Sequence, residues 1–170
     1  MRVLGIDPGT AVLGYGVVEG VSGRPPRLLE CGTLTTTARD PLPRRLRVIH
    51  DGTAALLARH APDAIAVESA FYGKNVRTTV VLSHARGVIL LAAEQAGVTI
   101  AEYSPAQIKK TVVGRGAALK PQVAYMVAQL LRLRTPPEPA DAADGVAVAL
   151  AHLLIGTRQA AFFRQVTGAR

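Results

Sequence analysis

Asp7, Glu68, Asp141 and Asp144 each fall where a strand should end or a helix should begin. Hard oxygen donors at such positions suit a divalent cation such as Mg²⁺, with Mn²⁺ serving in its place, and no His or Cys lies beside them in sequence to suggest a softer metal. Asp141 and Asp144 are three residues apart in what should be the first turn of a helix, so they share one face of it. Brought beside Asp7 and Glu68 they would complete a cluster of carboxylates, which is unfavourable alone because like charges drive one another toward protonation. A cation removes that conflict. Two ions about 3.5–4 Å apart would stabilise both the attacking and the leaving oxygen of a phosphodiester hydrolysis. Taken singly, Asp7 before Pro8-Gly9 has turn chemistry and Asp141 is a good helix cap. Asp144 resists that reading, because Gly-Val-Ala-Val-Ala-Leu follows it on a helix otherwise suited to an interior, where unpaired charge is costly.

The elements that must position these residues are legible in the apolar pattern. Residues 3–6 form a strand-like run that stops at Asp7-Pro8-Gly9-Thr10; residues 13–18 resume it, and 28–34 make a third strand. From Pro43, Leu46, Ile49, Leu56 and Leu57 recur at helical spacing, with Arg44, Arg45, Arg47 and Arg59 on other faces, and that helix ends near His60. Residues 64–67 are continuously apolar, as in a strand covered on both faces, and deliver Glu68 at their end. A long helix over 75–96 stops at Gly97, and a strand follows over 98–103. Ser104-Pro105 opens a helix to about Val113, Lys120-Pro121 opens another, and residues 140–155 make a last, nearly all-apolar one. The order is that of an antiparallel meander followed by crossover units: an α/β chain with a five-stranded mixed β-sheet flanked by helices.

With Lys and Arg numbering 20 against 12 Asp and Glu, the net charge is +8 and the sequence pI about 10.4. That balance favours a polyanionic partner such as nucleic acid. The single Cys31 allows no intramolecular disulfide and suits a reducing compartment. The chain opens on a strand rather than an export signal, and its apolar runs around 80–93 are interrupted by His84, Arg86 and Gly87. A cytoplasmic protein without membrane spans is the expectation. Residues 1–155 read as one domain and 156–170 as a basic, weakly patterned and partly mobile tail.

Leu-Gly-Ile-Asp-Pro-Gly-Thr at 4–10 with Gly14-Tyr15-Gly16, Glu68 with Phe71 and Lys74-Asn75, Gln107 to Gly114, and Ala140-Asp141-Ala142-Ala143-Asp144 together resemble the RuvC family of Holliday-junction resolvases. The resemblance runs from Met1 to about His152; the opening motif is weak by itself, and the order and spacing of all the blocks make it specific. It implies a ribonuclease H-like fold, a homodimer, partnership with the branch-migration proteins RuvA and RuvB, and Mg²⁺-dependent nicking of two opposing strands of a four-way DNA junction. By matching position it makes Asp7, Glu68, Asp141 and Asp144 the metal-binding catalytic carboxylates, and Phe71 an aromatic that stacks on an unpaired base at the crossover. It places Lys74 on the DNA, and Lys109 and Lys120 at the scissile phosphate. Symmetry independently favours a dimer, since one carboxylate set per chain must deliver two symmetric cuts. Val80, Val81, Ile89 and Leu90 of the long helix are the candidate interface.

The opening motif also resembles the first phosphate loop of the sugar-kinase, actin and heat-shock ATPase superfamily. Those proteins close two related domains on a nucleotide. Here Asp51-Gly52-Thr53, the candidate second loop, falls inside an amphipathic helix. A nearer rival is a related nuclease that trims ribosomal RNA precursors, which is not expected to carry the 107–114 segment or the Asp141 to Asp144 block.

Overall fold

The computed structural model describes residues 1–21, 24–69 and 76–167. Its strands are β1 (Arg2–Asp7), β2 (Val12–Glu19), β3 (Arg27–Thr35), β4 (Ala64–Glu68) and β5 (Thr99–Tyr103); its helices are α1 (Leu42–His60), α2 (Val76–Gln95), α3 (Pro105–Val113), α4 (Lys120–Leu130) and α5 (Ala140–Thr167). They form one five-stranded sheet in the order β3-β2-β1-β4-β5. β1, β2 and β3 pair antiparallel, whereas β4 is parallel to both β1 and β5. This is the expected mixed sheet. The three inner strands, β2, β1 and β4, are the buried ones, and their sequences are apolar on both faces.

Side chains alternate across the sheet and feed two cores. Leu4, Ile6, Ile65 and Val67 pack with Ile49 and Leu56 of α1 and with Ala85 and Ile89 of α2. Val3 and Ala66 point to the other face and pack with Ile108 of α3, Val123 and Val127 of α4, and residues 146–151 of α5. The alternation decides which face receives each functional group. Asp7 follows Val3 and Gly5 at a spacing of two, so it points to the α5 face.

On that face α5 lies almost directly on the backbone of β1 and β2. A Cβ at Gly14 would overlap the carbonyl oxygen of Asp141, one at Gly5 would overlap Gly145 and Ala149, and one at Gly16 would overlap Val146. Gly5 pairs with Gly16, and Gly14 pairs with Asp7. The missing side chains form a shallow track that seats the helix and brings its first turn beside Asp7.

The structure corrects some expectations. α5 does not stop near Ile155, because one exposed glycine among good helix formers is a weak breaker, and its backbone stays helical to Thr167. Over Ala140–Thr157 that helix is also long and apolar enough to cross a membrane, contrary to the expectation that no segment would be. Half of that window is buried inside the protein, so packing against the sheet accounts for its apolarity. Ile89 faces the interior, fully buried, so it cannot serve an interface. The outward apolar side chains of α2 are Val76, Val80 and Leu91.

Candidate active site

The parallel pairing of β1 with β4 runs to Ile6 opposite Val67, so the next residues, Asp7 and Glu68, stand side by side at the carboxyl edge of the sheet. Seated by the glycine track, α5 brings Asp144 to the same edge. These three carboxylates line one cavity of about 130 Å³ with Lys109, Lys120, Ile108 and Val123. Asp141 does not line the cavity but is near enough for its charge to act on both Asp7 and Lys120.

Each lysine is delivered by a helix whose start is encoded locally. Ser104 caps α3: the Gln107 amide donates to its hydroxyl oxygen at 3.3 Å, and the Ser104 amide donates to Gln107 Oε1 at 2.8 Å. Lys109 projects from the second turn of that helix. Lys120 opens α4, where the Leu119 amide donates to Gln122 Oε1 at 2.9 Å. Its Nζ donates to Asp144 Oδ2 at 2.6 Å, between side chains 71% and 20% exposed.

Burial, then the charge of Asp144, raises Asp7 from an ordinary 3.8 to about 6, with Asp141 adding to the rise and Lys120 opposing it. Glu68 rises from 4.5 to about 7, first through burial and then through Asp7 and Asp144, against the pull of Lys109 and Lys120. Lys120 is raised by its hydrogen bond to Asp144. The carboxylates repel one another even with two ammonium groups present. That is the electrostatic signature of a site suited to a further cation.

Among the described residues, no three acidic, His or Cys side chains converge closely enough to ligate an ion as they stand. The donors nevertheless fit a hard divalent ion: they are carboxylates on adjoining backbone, burial and then neighbouring carboxylates raise Asp7 and Glu68, and Lys120 already holds Asp144 as a cation would. Asp7, Glu68 and Asp144 are the residues that would hold it, with Asp141 at the rim.

The expected site residues thus divide. Asp7, Glu68, Asp144, Lys109 and Lys120 meet at one cavity, and Asp141 flanks it. Phe71 and Lys74 lie outside the described residues. Sequence reading missed the glycine track, although Gly14 and Gly16 stood within a noted motif. It also missed a tie between Tyr103 and His152, whose Oη and Nδ1 are 2.8 Å apart with the rings edge-on. Tyr103 is the β5 residue paired with Glu68, so this contact links the Glu68 edge to α5. Burial lowers His152 by disfavouring its charged form. Asp51-Gly52-Thr53 lies within α1, and the buried Thr53 hydroxyl donates to the Ile49 carbonyl at 2.8 Å. No phosphate-binding turn exists there.

Comparison with known proteins places the chain in a family. Residues 3–152 match the family described as crossover junction endodeoxyribonuclease RuvC. A protein of that description from Halorhodospira halophila is 49% identical over 169 residues, spanning 99% of this chain and 98% of that protein. The Thermus thermophilus RuvC structure superposes with a TM-score of 0.85 at 37% identity, covering 94% of this chain and 97% of that one. The same protein in complex with a Holliday junction substrate superposes at 0.86, covering 92% of this chain and 94% of that one.

Proposed function

The chain belongs to the RuvC family of crossover junction endodeoxyribonucleases, and we propose that Asp7, Glu68, Asp141 and Asp144 are its metal-binding catalytic residues, taking Mg²⁺, or Mn²⁺ in its place, as two ions. The protein is a metal-dependent DNA endonuclease with a ribonuclease H-like fold that resolves Holliday junctions in recombination and repair. The observation that carries the residue assignment is the single cavity shared by Asp7, Glu68 and Asp144 with Lys109 and Lys120, in which Asp7 is pushed to about 6 and Glu68 to about 7.

A divalent ion held by these carboxylates would supply Lewis acidity at the phosphate and acidify the attacking water. The chain's own part is positioning and charge. Asp7 and Glu68 stand on rigid parallel strands, so their separation is set by the sheet. Lys120 exchanges Asp144 for a phosphate oxygen as the strand arrives, and Lys109 approaches the same phosphate from α3. Ile108 and Val123 close the inner side of the cavity against water. Phe71 is assigned to stack on a base at the crossover and Lys74 to contact the backbone beside it.

The active assembly is a homodimer presenting two such sites to opposing strands, acting in the cytoplasm with the branch-migration proteins RuvA and RuvB. Supporting the dimer is an exposed apolar groove of about 650 Å³ between α1 and α2, lined by Leu46, Val76, Val80, Val88 and Leu91. Residues 1–155 constitute the nuclease domain and 156–170 a basic extension.

The test compares cutting of a four-way junction, a linear duplex and a structured RNA in Mg²⁺, by the parent and by Asp7→Asn. The parent should cut the junction selectively, and Asp7→Asn should bind it without cutting. Undiminished cleavage by Asp7→Asn would refute the metal-site assignment, and preferential cutting of the RNA would refute the substrate.

A further inference from the structure

Arg39, Arg44 and Arg47 have no part in the site just described, yet the fold brings them to the same end of the sheet. They lie in the connection after β3 and in the first turns of α1, and all are exposed. Their placement is costly for the helix. The start of α1 carries no acidic residue and no side-chain cap, while Arg44 and Arg47 set positive charge against the positive end of the helix dipole. Asp40 offsets little of this: its Oδ1 is 3.7 Å from Arg44 Nη1, a solvent-exposed pair with Arg44 68% accessible. Among the described residues neither Arg39 nor Arg47 makes an ion pair.

The neighbouring Arg45 fastens this region to the catalytic edge. Its Nε donates to the Thr10 carbonyl at 3.2 Å and to Thr36 Oγ1 at 3.0 Å, and the Thr36 amide donates to the Ala11 carbonyl at 2.9 Å. Thr10 is three residues beyond Asp7, within about 11 Å of it even if the chain is fully extended. Lys109 and Lys120 stand on the α5 side of the sheet, whereas α1 packs on the opposite face. Cations therefore flank the acidic edge from both sides.

We infer that Arg39, Arg44 and Arg47 form a second phosphate-binding surface, which grips the duplex arm leading away from the strand being cut. This rests on the junction-resolving function stated above. Guanidinium groups suit the task, since each offers a planar fork of donors to phosphate oxygens. An arm held there would be anchored on one side of the scissile phosphate while the lysines hold the other, so that the phosphate is fixed over the carboxylates despite their charge.

The test measures equilibrium binding of the full chain to an immobile four-way junction with long arms, without divalent cation, across a range of salt. The variants are the triple Arg39→Gln, Arg44→Gln, Arg47→Gln, the corresponding triple to Lys, and Arg47→Gln alone as a minimal change. The Gln triple should flatten the plot of log affinity against log salt by roughly 2 to 3, the single variant by roughly 1, and the Lys triple not at all. On a junction whose arms are cut to half a helical turn, parent and Gln triple should show the same slope. A parent slope for both Gln variants on long arms would overturn the inference, as would a flattening that persists on truncated arms. Failure of the parent itself to prefer a junction over linear duplex would instead refute the underlying function.

Discussion

Asp7 and Glu68 pay for their placement in protonation. In the folded chain their values rise from 3.8 and 4.5 to about 6 and about 7, because burial and neighbouring carboxylates disfavour the charged forms. A carboxyl whose folded value lies above its unfolded one stabilises fully only below the unfolded value, near pH 4, and that contribution is lost as pH rises through the folded value. In metal-free protein Asp7→Asn should therefore be nearly neutral at pH 4 and more stable than the parent at pH 8, by on the order of 1–3 kcal/mol. Urea denaturation at the two pH values measures this, and a variant advantage that shrinks with rising pH would contradict the electrostatic account. Excess Mg²⁺ should reverse the order at pH 8, since binding to the folded parent adds stability that the variant loses. Metal affinity should likewise fall as pH drops below about 7, where protons compete at Glu68.

At the level of elements, α5 brings Asp144 to the site because the sheet beneath it lacks side chains. Gly14→Ala would press a methyl group into the Asp141 carbonyl, where backbone cannot yield cheaply. The expected cost is about 3 kcal/mol or more, with cutting lost beyond what stability explains, because the helix start lifts away from Asp7. Gly156 makes the opposite case. It lies in the same helix with no atom within 4 Å of an added Cβ, so Gly156→Ala should stabilise by about 0.5–1 kcal/mol. Thermal unfolding of both variants separates the roles of the two glycines. Local sequence was a good guide to where helices begin: the Ser104 cap and the Pro105 and Pro121 starts are as read. It was a poor guide to where α5 ends, since a single glycine does not outweigh the helix formers around it.

For the whole molecule, the unpartnered apolar groove on α1 and α2 and the cationic flanks of the acidic edge describe how two copies would meet one junction. Placing Glu at both Val80 and Leu91, which are 49% and 50% exposed, should leave the fold intact and yield a monomer by light scattering. That monomer should nick junctions singly rather than in pairs, and retained dimer would exclude this surface. Ile89 could not make that test, since it belongs to the core beneath. α2 is apolar on several sides with almost no periodic bias, so its sequence does not reveal which side the sheet will take.

The sequence alone determined the inventory: which carboxylates end strands or begin a helix, which residues cap, and the excess of positive charge toward a polyanion. Those are local properties, carried by turn chemistry, periodicity and composition. Tertiary structure decided the convergence. Parallel pairing of β1 with β4 put Asp7 beside Glu68, and the approach of α5 over Gly5, Gly14 and Gly16 added Asp144 while leaving Asp141 at the rim. Such contacts join residues far apart in sequence, those made by α5 more than a hundred positions apart, and the absence of a side chain leaves no local signal of what will fill its space.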